Sequence, residues 1–135
     1  MIHASLYAFL LRLSLGMLFF FAGLGKILGG YAQFANWLIK DTAEKTFLPS
    51  FLVVPFAWSL PALELVLGFL FLIGWKTKAV GIAMALLFIN LAFGKVLLQD
   101  HATVANNIQY AFFTVMALYF SDQENKYSVD AFLKK

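Results

Sequence analysis

The chain has 135 residues, of which 62% are hydrophobic, 18% aromatic and 13% charged. A soluble domain is roughly 45–50% apolar and roughly 25% charged, so the polar residues here are too few to cover a surface, and lipid has to be the solvent for most of it. The absence of cysteine excludes disulfides, thiol–disulfide exchange, iron–sulfur ligation and thiolate metal sites, and a net charge of +3 held mostly at segment ends argues against nucleic acid.

The length is that of one compact unit, or of half a unit completed by a partner. About 20 helical residues cross a hydrocarbon core of about 30 Å. The N-terminus, MIHASLYAFLL, lacks a basic leader and a small-residue cleavage site, so its apolar run is expected to stay as a membrane helix. Four spans are expected, at about 4–25, 55–74, 79–98 and 103–120, with a cytoplasmic tail over 122–135. The turns WKTK and QDHA are short and force antiparallel neighbours. The expected fold is all-α, an integral membrane four-helix up-down bundle.

Between the first two spans lies YAQFANWLIKDTAEKTF, with Tyr31, Phe34 and Leu38 at helical spacing and Trp37 beside them. It is expected to form a short interfacial helix with its aromatic side in the headgroups. A plain solvated loop is the alternative. Lys76, Lys78, Lys126, Lys134 and Lys135 fall on one side of such a bundle, and Lys40 and Lys45 on the other. The excess of basic residues puts both termini in the cytoplasm. Residues 18–28, LFFFAGLGKIL, echo residues 87–97, LFINLAFGKVL. Duplication and chance between Leu/Phe-rich helices both explain this.

The informative residues are polar ones inside the spans. A charge at the bilayer centre costs about 2.5–3.5 kcal/mol on insertion scales, so it faces the bundle interior and finds a partner. Arg12 lies about 12 Å from the inner boundary and Glu64 about 13 Å from the outer one, counting from the expected helix starts. The two levels are then only about 5 Å apart, and a buried Arg12–Glu64 pair is the preferred arrangement. Lys26 and Lys95 are rivals for Glu64 if the second span begins near Pro61. Asn90, Asn106, Asn107, Gln109 and Tyr110 sit in the outer half, with Lys26, Lys95 and His101 as an anion-attracting rim. These form a candidate polar pocket open to the outside; the alternative is that the groups only tie helices together. Arg12 and Gly16, Glu64 and Gly68, and Asn90 and Gly94 are each four apart, so each pair shares a helix face. Phe19, Phe20 and Phe21 either line a quinone slot or face lipid. His3 and His101 fall on opposite sides and cannot jointly hold a haem. No metal-ligand cluster, nucleophile–base pair or phosphate-binding glycine loop is recognisable.

The stretches LLRLSLGMLFFFAGLGKI and ALELVLGFLFLIGWKTKAVGIAMAL carry Arg12, Gly16, Phe19, Gly23 and Lys26, then Glu64, Gly68, Gly74, Lys76 and Lys78. In these, and in Asn106 and Asn107, the chain resembles the DoxX family of small four-helix bacterial membrane proteins over about residues 6–120. The resemblance implies a protein of the bacterial cytoplasmic membrane; most family members have no assigned reaction. The family's name comes from similarity to a subunit of a thiosulfate:quinone oxidoreductase. A related cysteine-bearing branch linked to amine dehydrogenase maturation fits poorly, because cysteine is absent. Two functional readings follow. In the favoured one the chain is a non-catalytic scaffold or membrane subunit of a larger assembly, redox or otherwise, with protein partners or further copies of itself. In the other it binds a quinone or small anion for a membrane oxidoreductase, with Glu64 as proton acceptor or hydrogen-bond partner and Arg12 as counter-ion. A small-solute transporter working as an oligomer is a weaker third.

Overall fold

The computed structural model describes residues 3–123 and 125–133; Lys134 and Lys135 lie outside them. The described residues form helices only: α1 (Ala4–Leu28), α2 (Tyr31–Lys45), α3 (Ser50–Ile73), α4 (Thr77–Leu97), α5 (His101–Gln123) and α6 (Val129–Leu133). α1, α3 and α4 are long and apolar enough to cross a membrane, which makes this a multi-pass membrane protein. α5 is similar in length, but His101, Asn106, Asn107 and Gln109 make its first half polar, and it does not join those three as an apolar span.

Helix ends follow local chemistry. Gly29 and Gly30 end α1, and Gly30 has a positive φ of 115°. Gly74, at φ 77°, closes α3 in the left-handed region, where a Cβ would be strained. α3 starts at Ser50, with Pro49 before it and both Pro55 and Pro61 inside. Pro61 removes the amide that would bond the Ala57 carbonyl, a break tolerated in a packed membrane helix.

α1 packs most extensively on α3, and α4 on α5; α1 also meets α5, while α3 touches α4 over a shorter seam. The buried residues of α1 recur at Ala8, Arg12, Leu15, Phe19 and Gly23, one stripe of a helix. Those of α3 recur at Val53, Ala57, Leu60, Glu64, Gly68 and Phe71. Both stripes enter one apolar core with Met84, Leu87 and Phe88 of α4 and Ala117 of α5. Phe19 packs on Phe88 with ring centroids 4.7 Å apart and the rings tilted, whereas Phe21 is exposed.

The α1–α3 seam is a backbone contact. A Cβ on Gly16 would lie 2.9 Å from the Leu72 amide nitrogen, and one on Gly23 would lie 2.6 Å from that of Leu65. Small residues at such seams let membrane helices meet closely. These contacts fix an antiparallel register with Gly16 beside Gly68–Leu72 and Gly23 beside Pro61–Leu65. The first turns of α3 therefore overhang the end of α1.

α2 covers that overhang. Its Tyr31 ring stacks on Trp58 with centroids 5.9 Å apart and its hydroxyl donates to the Trp58 carbonyl. Phe34 and Leu38 pack against the core, while Trp37 is exposed. The Phe34–Leu38 stripe was expected in the headgroups; it turns inward instead, because the overhang offers it apolar surface. The tail also packs. Residues 125–133 fold back onto the end of the bundle where α3 stops and α4 starts.

Candidate functional site

Glu64 is buried at 2% exposure in the middle of the α1–α3 seam. Gly23 makes room for it: a Cβ there would sit 3.1 Å from the Glu64 Cβ. One turn further along α1, the Lys26 ammonium donates to both carboxylate oxygens, at 2.8 Å to Oε1 and 2.6 Å to Oε2. Its nitrogen also lies 5.2 Å from the centre of the Phe34 ring, a cation–π contact from α2. Three helices thus close around one ion pair.

Arg12 does not reach Glu64. In the observed register Gly23, not Arg12, lies level with Glu64, and the 11 residues between them span about 16 Å. The expected Arg12–Glu64 pair fails because α3 starts early and overhangs α1, so the depth of Glu64 cannot be counted from Pro55. Lys26, one of the two rivals, is the partner. Arg12 sits instead at the opposite end of α3, fully buried, and its Nη1 donates to the Phe71 and Leu72 carbonyls at 3.2 Å each. Its Nη2 donates to the Tyr127 carbonyl. The last carbonyls of a helix lack intrahelical donors and carry the negative end of its dipole. A buried guanidinium there satisfies them and ties in the tail.

The same end holds a second clasp. The Asp130 carboxylate accepts from the amides of Lys76 at 2.6 Å and Thr77 at 2.8 Å, capping the start of α4. Its own amide donates to the Gly74 carbonyl at 3.1 Å. An acid 53 residues downstream of the helix it caps leaves no local signal in the sequence. Only the orphan amides of α4, preceded by Lys76 rather than by a capping side chain, hint that a cap comes from elsewhere.

The remaining candidates are dispersed. Asn90, Asn106 and Gln109 are exposed, and Asn107 is buried on α5. No hydrogen bond links any of the four to Glu64. Tyr110 packs its ring on Phe88, with centroids 5.5 Å apart. His101 is exposed, and the Lys95 ammonium lies 3.8 Å from Asp100. Asp100 caps α5 through the Thr103 amide at 3.3 Å and hydroxyl at 2.7 Å. Those two bonds hold its carboxyl below the usual carboxylate range, with smaller help from Lys95 and His101. The echo between α1 and α4 persists in space: Gly25 and Gly94 each have open room where a Cβ would point, and each precedes a paired lysine.

A cleft of about 290 Å³ opens beside the ion pair, between the end of α1 and α2. Gly25, Gly29 and Gly30 form one wall, and Lys26, Gln33, Phe34 and Trp37 the rest. Lys26 is the one ionisable residue on its walls among those described. Among the described residues no cluster of His, Asp or Glu could hold a metal ion.

The model of the methylamine utilisation protein MauE family matches residues 4–106. The chain belongs to the MauE family. The match covers α1 to α4 and the start of α5, and so includes Arg12, Lys26 and Glu64. It overturns the DoxX resemblance. The shared Arg, Gly and Lys positions on apolar helices are loose enough to suit more than one family of small membrane bundles. Lack of cysteine counted against a link to amine metabolism, yet a cysteine-free chain is a MauE-family member. No curated protein and no solved structure matches the chain.

Proposed function

We propose that the chain is a membrane-embedded accessory subunit of a methylamine-utilisation assembly, in which its buried charges hold the bundle together and perform no reaction. The observation that carries this reading is the closure of the Lys26–Glu64 pair, in which both carboxylate oxygens are engaged and the acid is 2% exposed. Arg12 is likewise occupied by three carbonyls. A group that binds substrate or moves protons needs an open face; Glu64 and Arg12 are buried, and Lys26, which reaches the cleft, has its ammonium held by the carboxylate. The family's name supplies the link to methylamine.

In this reading α5 is the fourth span, antiparallel to α4, and the protein is a four-helix up-down bundle in the bacterial cytoplasmic membrane. The apolar second half of α5 and its packing on α4 and α1 support that arrangement. α2 lies at the outer interface with Trp37 in the headgroups. Lys76, Lys78 and Lys126 at the tail end, against Lys40 and Lys45 at the other, favour cytoplasmic termini.

The test is affinity purification from the native host in mild detergent, with co-purifying proteins identified by mass spectrometry. Recovery with proteins of amine oxidation, persisting in Glu64→Gln at reduced yield, supports the reading. Recovery alone, from cells grown on methylamine, overturns it.

A further inference from the structure

A cavity of about 430 Å³ lies at the tail end of the bundle, among the start of α4, the last turn of α5 and the returning tail. Thr77, Lys78, Ser121, Asp122, Asn125 and Lys126 are among its walls. The volume falls in the range of small-ligand sites, about 300–1,000 Å³. Two of the buried polar atoms that lack partners among the described residues, Ser121 Oγ and Asn125 Oδ1, belong to residues lining this one cavity. Buried polar atoms without partners are rare, and each calls for a ligand or water.

The orientation of Asn125 is fixed by chemistry. Thr77 Oγ1 gives its single proton to the Gly74 carbonyl at 3.0 Å, so it can only accept from Asn125, whose Nδ2 lies 3.2 Å away. Oδ1 is then left as an acceptor in want of a donor. Ser121 Oγ, which can also donate, and the Asp122 carboxylate add two more acceptors, while Lys78 and Lys126, the latter with a partner of its own, bring ammonium groups to the same cavity. The walls therefore ask for a zwitterion: a group with several N–H donors joined to an anion. Tyr127, Phe132 and Leu133 are exposed at this end of the molecule, apolar side chains suited to the boundary between headgroups and acyl chains. Their exposure suits a cavity at headgroup depth.

We propose that this cavity binds the phosphoethanolamine headgroup of a membrane lipid, its ammonium held by Ser121, Asp122 and Asn125 and its phosphate by Lys78. All but Thr77 and Lys78 of the residues named on its walls lie beyond the segment that the MauE model matches, so the site is independent of the family reading.

The test uses the full chain, stripped of lipid and placed in phosphatidylcholine nanodiscs doped with phosphatidylethanolamine or phosphatidylglycerol, with retained lipid counted by native mass spectrometry. Phosphatidylcholine carries the same phosphate but no N–H donor. Phosphatidylethanolamine is expected to be retained over it by at least about fivefold, the effect of one hydrogen bond. Ser121→Val and Asp122→Asn each reduce that preference at an unchanged melting temperature, and Lys78→Gln weakens both lipids alike. Equal retention of the two lipids, stronger retention of phosphatidylglycerol, or an unchanged preference in both acceptor variants overturns the site. Free phosphoethanolamine should compete only weakly, because it lacks the acyl chains that hold the lipid at the site; binding of the free headgroup as tight as that of the lipid would assign the cavity to a soluble ligand and overturn the lipid assignment.

Discussion

Lys26 and Glu64 meet at 2.6 Å beside Gly23, where α1 and α3 are in backbone contact. The two side chains differ in their freedom: the Lys26 side chain is 27% exposed and that of Glu64 only 3%. Removing one partner from a buried pair leaves the other charge stranded, at a cost of about 3–5 kcal/mol when it cannot escape. Lysine can bend outward along its stem; this glutamate cannot. Lys26→Met is therefore expected to destabilise the protein by about 3 kcal/mol and Glu64→Gln by about 1 kcal/mol. Reversible unfolding in mixed micelles measures both, and equal losses would contradict the asymmetry.

The glycines divide by what surrounds them. Gly23→Ala puts a methyl 2.7 Å from the Pro61 carbonyl and 2.6 Å from the Leu65 amide, so α1 and α3 must move apart. Overpacking of this kind costs about 1–3 kcal/mol and here also stretches the ion pair. Gly25→Ala and Gly94→Ala meet nothing within 4 Å. Each should stabilise its helix by about 0.5–1 kcal/mol. Opposite signs at Gly23 and Gly25, two residues apart, are the result to look for.

The tail is expected to be part of the fold. Asp130→Ala removes the cap of α4 and should cost about 1 kcal/mol. Limited proteolysis should cut residues 125–133 faster in this variant, and faster still in Arg12→Met, which loses the bond to the Tyr127 carbonyl. Cleavage at the wild-type rate in both would show that the tail is not clasped.

Acid should loosen the start of α5. The folded Asp100 carboxyl lies below its ordinary value because it accepts from Thr103, so its contribution is present above the unfolded value of about 4. It disappears as pH falls through the lower, folded value. Hydrogen exchange at the first turn of α5 should rise over that window in the wild type. In Asp100→Asn, where the amide oxygen still caps, the step should vanish.

Composition alone made the membrane class legible, since so few polar residues cannot cover a surface. The paired spacing of Arg12 with Gly16 and of Glu64 with Gly68 marked the α1–α3 seam as a place of close approach, but the third such pair, Asn90 with Gly94, marks none: Asn90 is exposed and a Cβ on Gly94 would meet nothing within 4 Å. What failed was register. Pro55 looked like a helix start, and nothing local shows that Ser50–Val54 continues the helix past the end of α1. A one-helix depth count then placed Arg12 opposite Glu64, when only the contacts of Gly16 and Gly23 fix that relationship. The inward turn of Phe34 and the distant cap by Asp130 were illegible for the same reason: each depends on a surface built by other helices.

The partner of Glu64 is decided most directly by charge reversal. Glu64→Lys and Lys26→Glu should each cripple the fold in detergent, and the double variant Lys26→Glu/Glu64→Lys should recover most of the lost stability. The double variant Arg12→Glu/Glu64→Arg should recover none, its effects adding as for distant sites. Rescue through Arg12, or no rescue through Lys26, would contradict the closed α1–α3 clamp.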